Sequence, residues 1–408
     1  MSTRPMRRGD ALARQRGPKS QPSKDLFFKK RCKDIQDGKL IPIIGDTIRN
    51  AHIFDHDADQ NLGVATAKNQ ANSHIDYDKL NVTEELTQSW ANGGTYLEGK
   101  EEPITYPLTD NIRIARVAQF YALVHNEPLT AKEDYLSFLK DELIGIAYDV
   151  AEMKNDNEEM AFIRQLAEEQ TLSYSDIVAE LDYPQFPEGQ EDPLQILARL
   201  PIKVYITTSY HDFIERELEA AGKYPQSRLC FWNMAPENLA PEHRPNPDYK
   251  PDKNNPVVYH LLGMEQYPAS MVLSEDDYLD LLWAIARDEK GQSHNGDGII
   301  PPYFEHVLKE SSLLLLGYRL HDWDLKVLFR GLLRGDEGFV KRRRSSTAIH
   351  IDLDEQPMIN DKEKDRKQAE KYIKDYFKQA SFDVKFSRSD DFINTLWQEW
   401  LDWIGAES

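Results

Sequence analysis

Cysteine is nearly absent from this 408-residue chain, which carries only Cys32 and Cys230. Two thiols cannot build a secreted disulfide framework or a four-thiolate zinc site. Basic charge is in deficit as well: 50 Lys and Arg face 70 Asp and Glu, a formal net charge of −20. Such a balance argues against coating nucleic acid through a general positive field. No apolar run approaches the roughly 20 residues that span a bilayer, and a signal-peptide core is lacking. Together these shortages predict a soluble, reduced, cytoplasmic protein with no membrane partner and no direct nucleic-acid binding.

The positive charge that exists is concentrated at the start. Arg4, Arg7, Arg8, Arg14, Arg16, Lys19 and Lys24 face one acid, Asp10, with no apolar periodicity between them. Residues 1–24 are expected to be a disordered basic arm, drawn to the acidic surface of its own subunit or of a neighbour.

Glycine marks the ends of short apolar runs. Residues 40–44 (LIPII) end at Gly45, 257–262 (VVYHLL) at Gly263, and 313–316 (LLLL) at Gly317. A fourth run, 202–206 (IKVYI), ends in the polar cluster Thr207, Thr208, Ser209, Tyr210, His211 and Asp212. An unbroken apolar run of this length is what a strand covered on both faces of a parallel sheet looks like. Helical periodicity follows each, so the fold class expected is α/β: a Rossmann-like, doubly wound parallel sheet. Further strands are expected at 228–232, 348–353 and 382–386, and helices at 25–36, 213–221, 274–286, 363–378 and 390–404. The last carries Phe392, Leu396, Trp397, Trp400 and Trp403, read as core or subunit contact. Between the first two strands, residues 76–200 read as a helical insertion, with helices at 111–124, 131–153, 173–181 and 193–200. The sheet domain is then 25–75 and 201–408.

In open α/β sheets ligands sit at the carboxyl ends of the strands, beside helix N-termini. The turn Gly45, Asp46, Thr47 can therefore bring backbone N–H groups to phosphate oxygens, or it is an ordinary turn with Asp46 or Thr47 as N-cap. N-capping would use one hydroxyl of the Thr207–Ser209 cluster and leave the rest to a polar pocket. His211 and Asp212 stand at its mouth. His260 lies on the neighbouring run, where a structural hydrogen bond and a catalytic role are both open. His321 and Asp322 read as caps of the helix after Gly317, and the basic run 341–344 as a solvated loop.

Four ordered motifs carry a resemblance: TTSYHDFIE (207–215), VYHLLG (258–263), PASMVLSEDDYLDLL (268–282) and LLLLGYRLHDWDLKVLFRGLL (313–333). They resemble those of the bacterial sirtuin-like (silent-information-regulator type) family, Rossmann-type NAD-cleaving proteins of antiphage defence. IPIIGDTIRN (41–50) is similar to that family's first nucleotide-binding loop. The resemblance implies NAD as substrate, cleaved at the nicotinamide–ribose bond to nicotinamide and ADP-ribose. It implies a nucleotide site at Gly45, Asp46, Thr47, Thr207, Thr208, Tyr210, Gly263, Gly317 and Tyr318, and catalysis among His211, Ser209, His260 and Asp212. Ser209 stands at the position of the family's Asn, His211 at that of its Asp, and Leu262 at that of its catalytic His. A second implication is therefore a weak or inactive subunit that binds NAD or ADP-ribose as a scaffold. Zinc-dependent deacylation is not expected from two cysteines. Related defence proteins are similar in forming homo-oligomers, some beside a hexameric HerA-type ATPase, which gives the expected partners.

Overall fold

The computed structural model describes residues 24–53, 82–92, 104–109, 113–169, 171–184, 186, 190–234, 236–244, 246, 248–289, 302–318, 327–328, 331, 334–335, 338–339, 347–350, 363–378 and 382–407. The basic arm before Lys24, His321, Asp322 and the basic run 341–344 lie outside them.

Seven strands form one parallel sheet: β1 (Leu40–Ile44), β2 (Val204–Thr207), β3 (Gln226–Leu229), β4 (Val257–His260), β5 (Ser312–Leu316), β6 (Thr347–His350) and β7 (Phe382–Lys385). Their spatial order is β3-β4-β2-β1-β5-β6-β7, every neighbouring pair being parallel. The α/β Rossmann-like reading is borne out. The four apolar runs are the central strands, and β1, β2, β4 and β5 are buried at every position. β7 is an edge strand with a mixed burial pattern.

β1 lies at the centre despite Pro42, whose missing N–H would break a ladder. Its pairing with β2 begins at Ile43, one residue later, while the pairing with β5 runs through all five positions. Ile44 O accepts from Thr208 N on the β2 side. By the alternation of parallel strands Pro42 faces that same side, where the ladder makes no demand on it.

The chain leaves β1 toward β2 and later returns from β4 to β5 on β1's other flank. The order of strands therefore reverses at β1, the place where such sheets bind ligands. Between β1 and β5 the crevice is filled by backbone. Gly45 N donates to Leu316 O at 2.8 Å. A Cβ on Gly45 would lie 2.1 Å from Gly317 O, and Gly317 itself has φ +72° with Ile48 N beside it. Gly45→Ala should cost about 1–3 kcal/mol or more, since a backbone carbonyl cannot step aside as a flexible side chain can. Urea unfolding of the variant checks this; a wild-type midpoint would show that the two turns are free to separate.

Between β1 and β2 run α2 (Thr47–Ile53), α3 (Val82–Asn92), α4 (Ile114–His125), α5 (Pro128–Met153), α6 (Asn157–Glu168), α7 (Tyr174–Glu180) and α8 (Pro193–Arg199). Helices α3 and α6 add to the four expected there. The remaining α-helices among the described residues are α1 (Lys24–Gln36), which precedes β1, α9 (Phe213–Ala220), α10 (Glu275–Glu289), α11 (Pro302–Glu310), α12 (Glu363–Lys378) and α13 (Ser389–Glu407). The aromatic terminal helix packs within the chain. Phe392, Leu396 and Trp400 are buried, Trp397 lies under the Arg199 guanidinium at 4.6 Å, and Trp403 Nε1 donates to Gln36. Its tryptophans pack toward α1 and α8 within the chain. On α1, Phe27, Cys32 and Ile35 are buried, while Leu26 is exposed.

Candidate active site

The carboxyl ends of β1 and β2 meet over a small pocket lined by Gly45, Asp46, Arg49, Thr207, Ser209 and His211, with apolar walls from Ile44, Ile48, Leu194, Phe213 and Ile214. Its free space suits about one water molecule. The polar mouth inferred from the sequence is thus a real convergence, but its own side chains fill most of it.

A hydrogen-bond chain knits the two strand ends together. Thr207 Oγ1 donates to Ile44 O at 3.2 Å and accepts from Ser209 N at 3.0 Å. Ser209 Oγ donates to Asp46 Oδ1 at 2.8 Å and accepts from His211 N at 3.3 Å. Thr208 and Tyr318 share a hydroxyl contact at 3.1 Å, which ties β2 to the turn after β5. Thr47 opens α2, and Asp46 occupies the preceding N-cap position.

His211 is wholly buried. Its Nδ1 lies 3.3 Å from Glu265 Oε2, close enough for an ion pair but off the line of a hydrogen bond, and Nε2 has no hydrogen-bond partner among the described residues. The ring rests against Tyr174 (4.7 Å) and Phe213 (5.1 Å). Burial alone would lower the imidazole's pKa; the charges of Glu265, Asp46 and Asp212 outweigh it and leave the pKa raised. Burial would raise the Glu265 carboxyl, and His211 with Ser175 brings it below the usual range. The two shifts agree in describing an ion pair.

The other histidine is differently placed. His260 Nε2 contacts Glu215 Oε1 at 2.7 Å and Nδ1 lies 3.3 Å from Ser209 O, so both nitrogens face acceptors. That is the arrangement of a doubly protonated ring. Burial opposes the charge, Glu215 supports it, and the pKa is raised. His260 does not line the pocket; it clamps β4, the turn after β2 and α9 together. Asp212, beside His211, is engaged by Arg216 Nε at 2.7 Å, and Arg216 also reaches Asp176 on α7 at 2.6 Å. Tyr210 donates to Val272 O and packs edge-on against Tyr135 of α5. Gly263 has φ +100°, and a Cβ there would meet Ser270 O at 2.5 Å. Its freedom serves a close approach of chain within the fold. Leu262, at the motif position of the family's histidine, is fully buried.

Two residues of the site carried no sequence signal. Arg49, buried on α2, places Nη2 2.9 Å from Asp192 and 2.7 Å from Glu217, with its guanidinium 5.0 Å over Phe213. Asp192 also caps α8 through Leu194 N at 2.7 Å. Arg49 therefore joins the first loop to the helix that walls the pocket. Glu265 is the second, in a loop whose sequence shows no pattern that names it.

Comparison with known proteins agrees with the geometry. Residues 203–379 match the model of the SIR2-like domain. Two curated relatives, each named NAD(+) hydrolase ThsA, are similar over 84 residues. The Bacillus cereus (strain MSX-D12) protein is 33% identical and the Enterococcus faecium protein 34%, over 21% of this chain and 15% of each relative. The chain thus spans a small part of their length. The sirtuin-like resemblance is borne out over the matched span, which starts at β2 and leaves β1 and its loop outside. From residue 203 to residue 379 this chain is similar to the SIR2-like domain.

Proposed function

We propose that this protein is an NAD⁺ hydrolase that breaks the nicotinamide–ribose bond, and that it acts as an antiphage effector by depleting NAD⁺. The observation that carries the reading is a polar pocket holding a buried histidine between the ends of β1 and β2, beside the strand-order reversal, in a chain similar to the SIR2-like domain over residues 203–379. The name of the partial relatives supports it.

In the reaction the bond from ribose C1′ to the nicotinamide nitrogen breaks as water oxygen bonds to C1′. Nicotinamide leaves with the electron pair, and the water gives up a proton. The transition state is oxocarbenium-like, so a base beside the water and groups that orient the ribose supply the rate. His211 in its neutral form is the base that accepts the proton, and Ser209 and Asp46 orient the ribose hydroxyls. Because the pocket holds about one water, the substrate enters only after covering residues, Leu194 and Arg49 among them, move aside. Assembly as a homo-oligomer with a HerA-type ATPase belongs to the same proposal, resting on the basic arm and the family resemblance.

A second reading has its own support. The Ser209 hydroxyl is held by Asp46 and Leu262 replaces the motif histidine, which favours an NAD- or ADP-ribose-binding scaffold without turnover. Chromatography of NAD⁺ incubated with purified protein separates the two. Free nicotinamide and ADP-ribose in equal amounts are expected. NAD⁺ recovered intact, with and without the ATPase, would overturn the hydrolase reading in favour of the scaffold.

A further inference from the structure

We infer that Glu265 is the positioning residue for His211, and that the helical segment between β1 and β2 completes the site by holding Glu265 in place. This rests on the reading of His211 as the base.

The geometry comes from three parts of the chain. Glu265 N donates to Tyr210 O at 2.8 Å, which anchors its backbone to the turn that carries His211. Its carboxylate is gripped by the start of α7: Tyr174 N donates to Oε2 at 3.1 Å, Ser175 N to Oε1 at 3.3 Å, and the Ser175 hydroxyl also donates to Oε1. Oε2 then faces His211 Nδ1 at 3.3 Å. A carboxylate with three donors from one helix turn cannot swing away from the imidazole without giving them up. The Tyr174 ring packs against His211 at 4.7 Å, tilted by 52°, and closes the other side. The donors come from α7, so the SIR2-like span alone does not complete the constellation.

An imidazole that must accept a proton at one nitrogen needs the other nitrogen protonated and oriented. The Glu265 charge, 3.3 Å from Nδ1, favours the proton there and leaves Nε2, which has no hydrogen-bond partner among the described residues, for the reacting water. The groups that set the charge of His211 are Glu265 ahead of α10, Asp46 at the end of β1, and Asp212 beside it. The Tyr174 phenol, on α7, is held neutral by burial. The Arg49 cation in the same pocket is already matched by Asp192 and Glu217.

The test uses the full chain, its E265Q variant and a milder S175A variant that keeps the carboxylate and removes one of its donors. Two measurements are made: kcat and KM for NAD⁺ against pH, and the titration of His211 by NMR of ¹³C-labelled histidine without NAD⁺. For E265Q the His211 midpoint should fall by about one pH unit or more, and by less for S175A. A base must be neutral to work, so the acidic limb of kcat should move to lower pH in step. The high-pH plateau should drop, by less than the about 10²-fold expected without the imidazole, with little change in KM. If E265Q fails to fold, the S175A shift decides. An unmoved His211 midpoint, or a kcat loss with an unmoved acidic limb, would overturn the assignment and leave Glu265 a structural group. A shifted midpoint in a protein that does not cleave NAD⁺ would uphold the pairing and overturn only the hydrolase reading.

Discussion

Replacing His211 by alanine should lower NAD⁺ turnover by about 10²-fold or more, the range usual for loss of an acid–base group. The reason lies in exclusion as much as in proximity. Of the two buried histidines among the described residues, His260 has both ring nitrogens facing acceptors, whereas His211 lines the pocket and has an Nε2 without a hydrogen-bond partner among those residues. His260→Ala should instead act on stability, because it leaves the Glu215 carboxylate in the core without its counter-charge. The comparison is kcat for both variants at saturating NAD⁺, alongside their urea midpoints. Loss of turnover in a normally stable His260→Ala protein, with His211→Ala still active, would reverse the two roles.

Arg49→Ala should cost about 3–5 kcal/mol of stability, the usual consequence of removing one partner from a buried ion pair. Here the loss is compounded, since Asp192 and Glu217 would be left together with no cation between them. Burial already raises the Glu217 pKa in the intact protein, with Asp192 pushing the same way and Arg49 opposing. Without Arg49 it rises further. A carboxyl with a raised folded-state pKa binds its proton more tightly folded than unfolded. Stability of the variant therefore improves as pH falls from neutrality toward the ordinary glutamate range. Urea unfolding at pH 7 and again near pH 5 measures this, and the deficit should be smaller at the lower pH. Equal midpoints for variant and wild type at pH 7 would show that the trio adds nothing.

How far the sequence could carry this is seen in particular residues. The sheet was readable because strands buried on both faces need unbroken apolar runs, and the turns after them need glycine or hydroxyls. LIPII-Gly45 and LLLL-Gly317 state both requirements within six and five residues. Helices α3 and α6 were not distinguished, since each buries few apolar side chains inside a polar stretch. The site divides in the same way. Asp46, Ser209 and His211 were readable because each stands at a strand's end, a location that local pattern encodes. Glu265 lies in the loop before α10 and owes its role to the first turn of α7, about 90 residues away. Arg49 meets Glu217 across 168 residues. A pair that exists only in three dimensions leaves no periodicity behind. The same limit applied to the tryptophans of α13, whose cover by α1 and α8 became visible only once the helices were placed.

The position of β1 has a consequence for how the chain is made. It is the central strand, yet Ile44 and Thr207 are 163 residues apart, and its other neighbour does not begin until Ser312. At a synthesis rate of roughly 5–20 residues per second, β1 waits about 10–30 s for its first partner and longer for its second. Throughout that time LIPII is an apolar segment with unpaired backbone, sheltered at most by α1 and the intervening helices. The sheet therefore grows outward from a centre that is translated first and paired late. A nascent chain stalled before Thr207 would leave β1 with both of its edges unpaired.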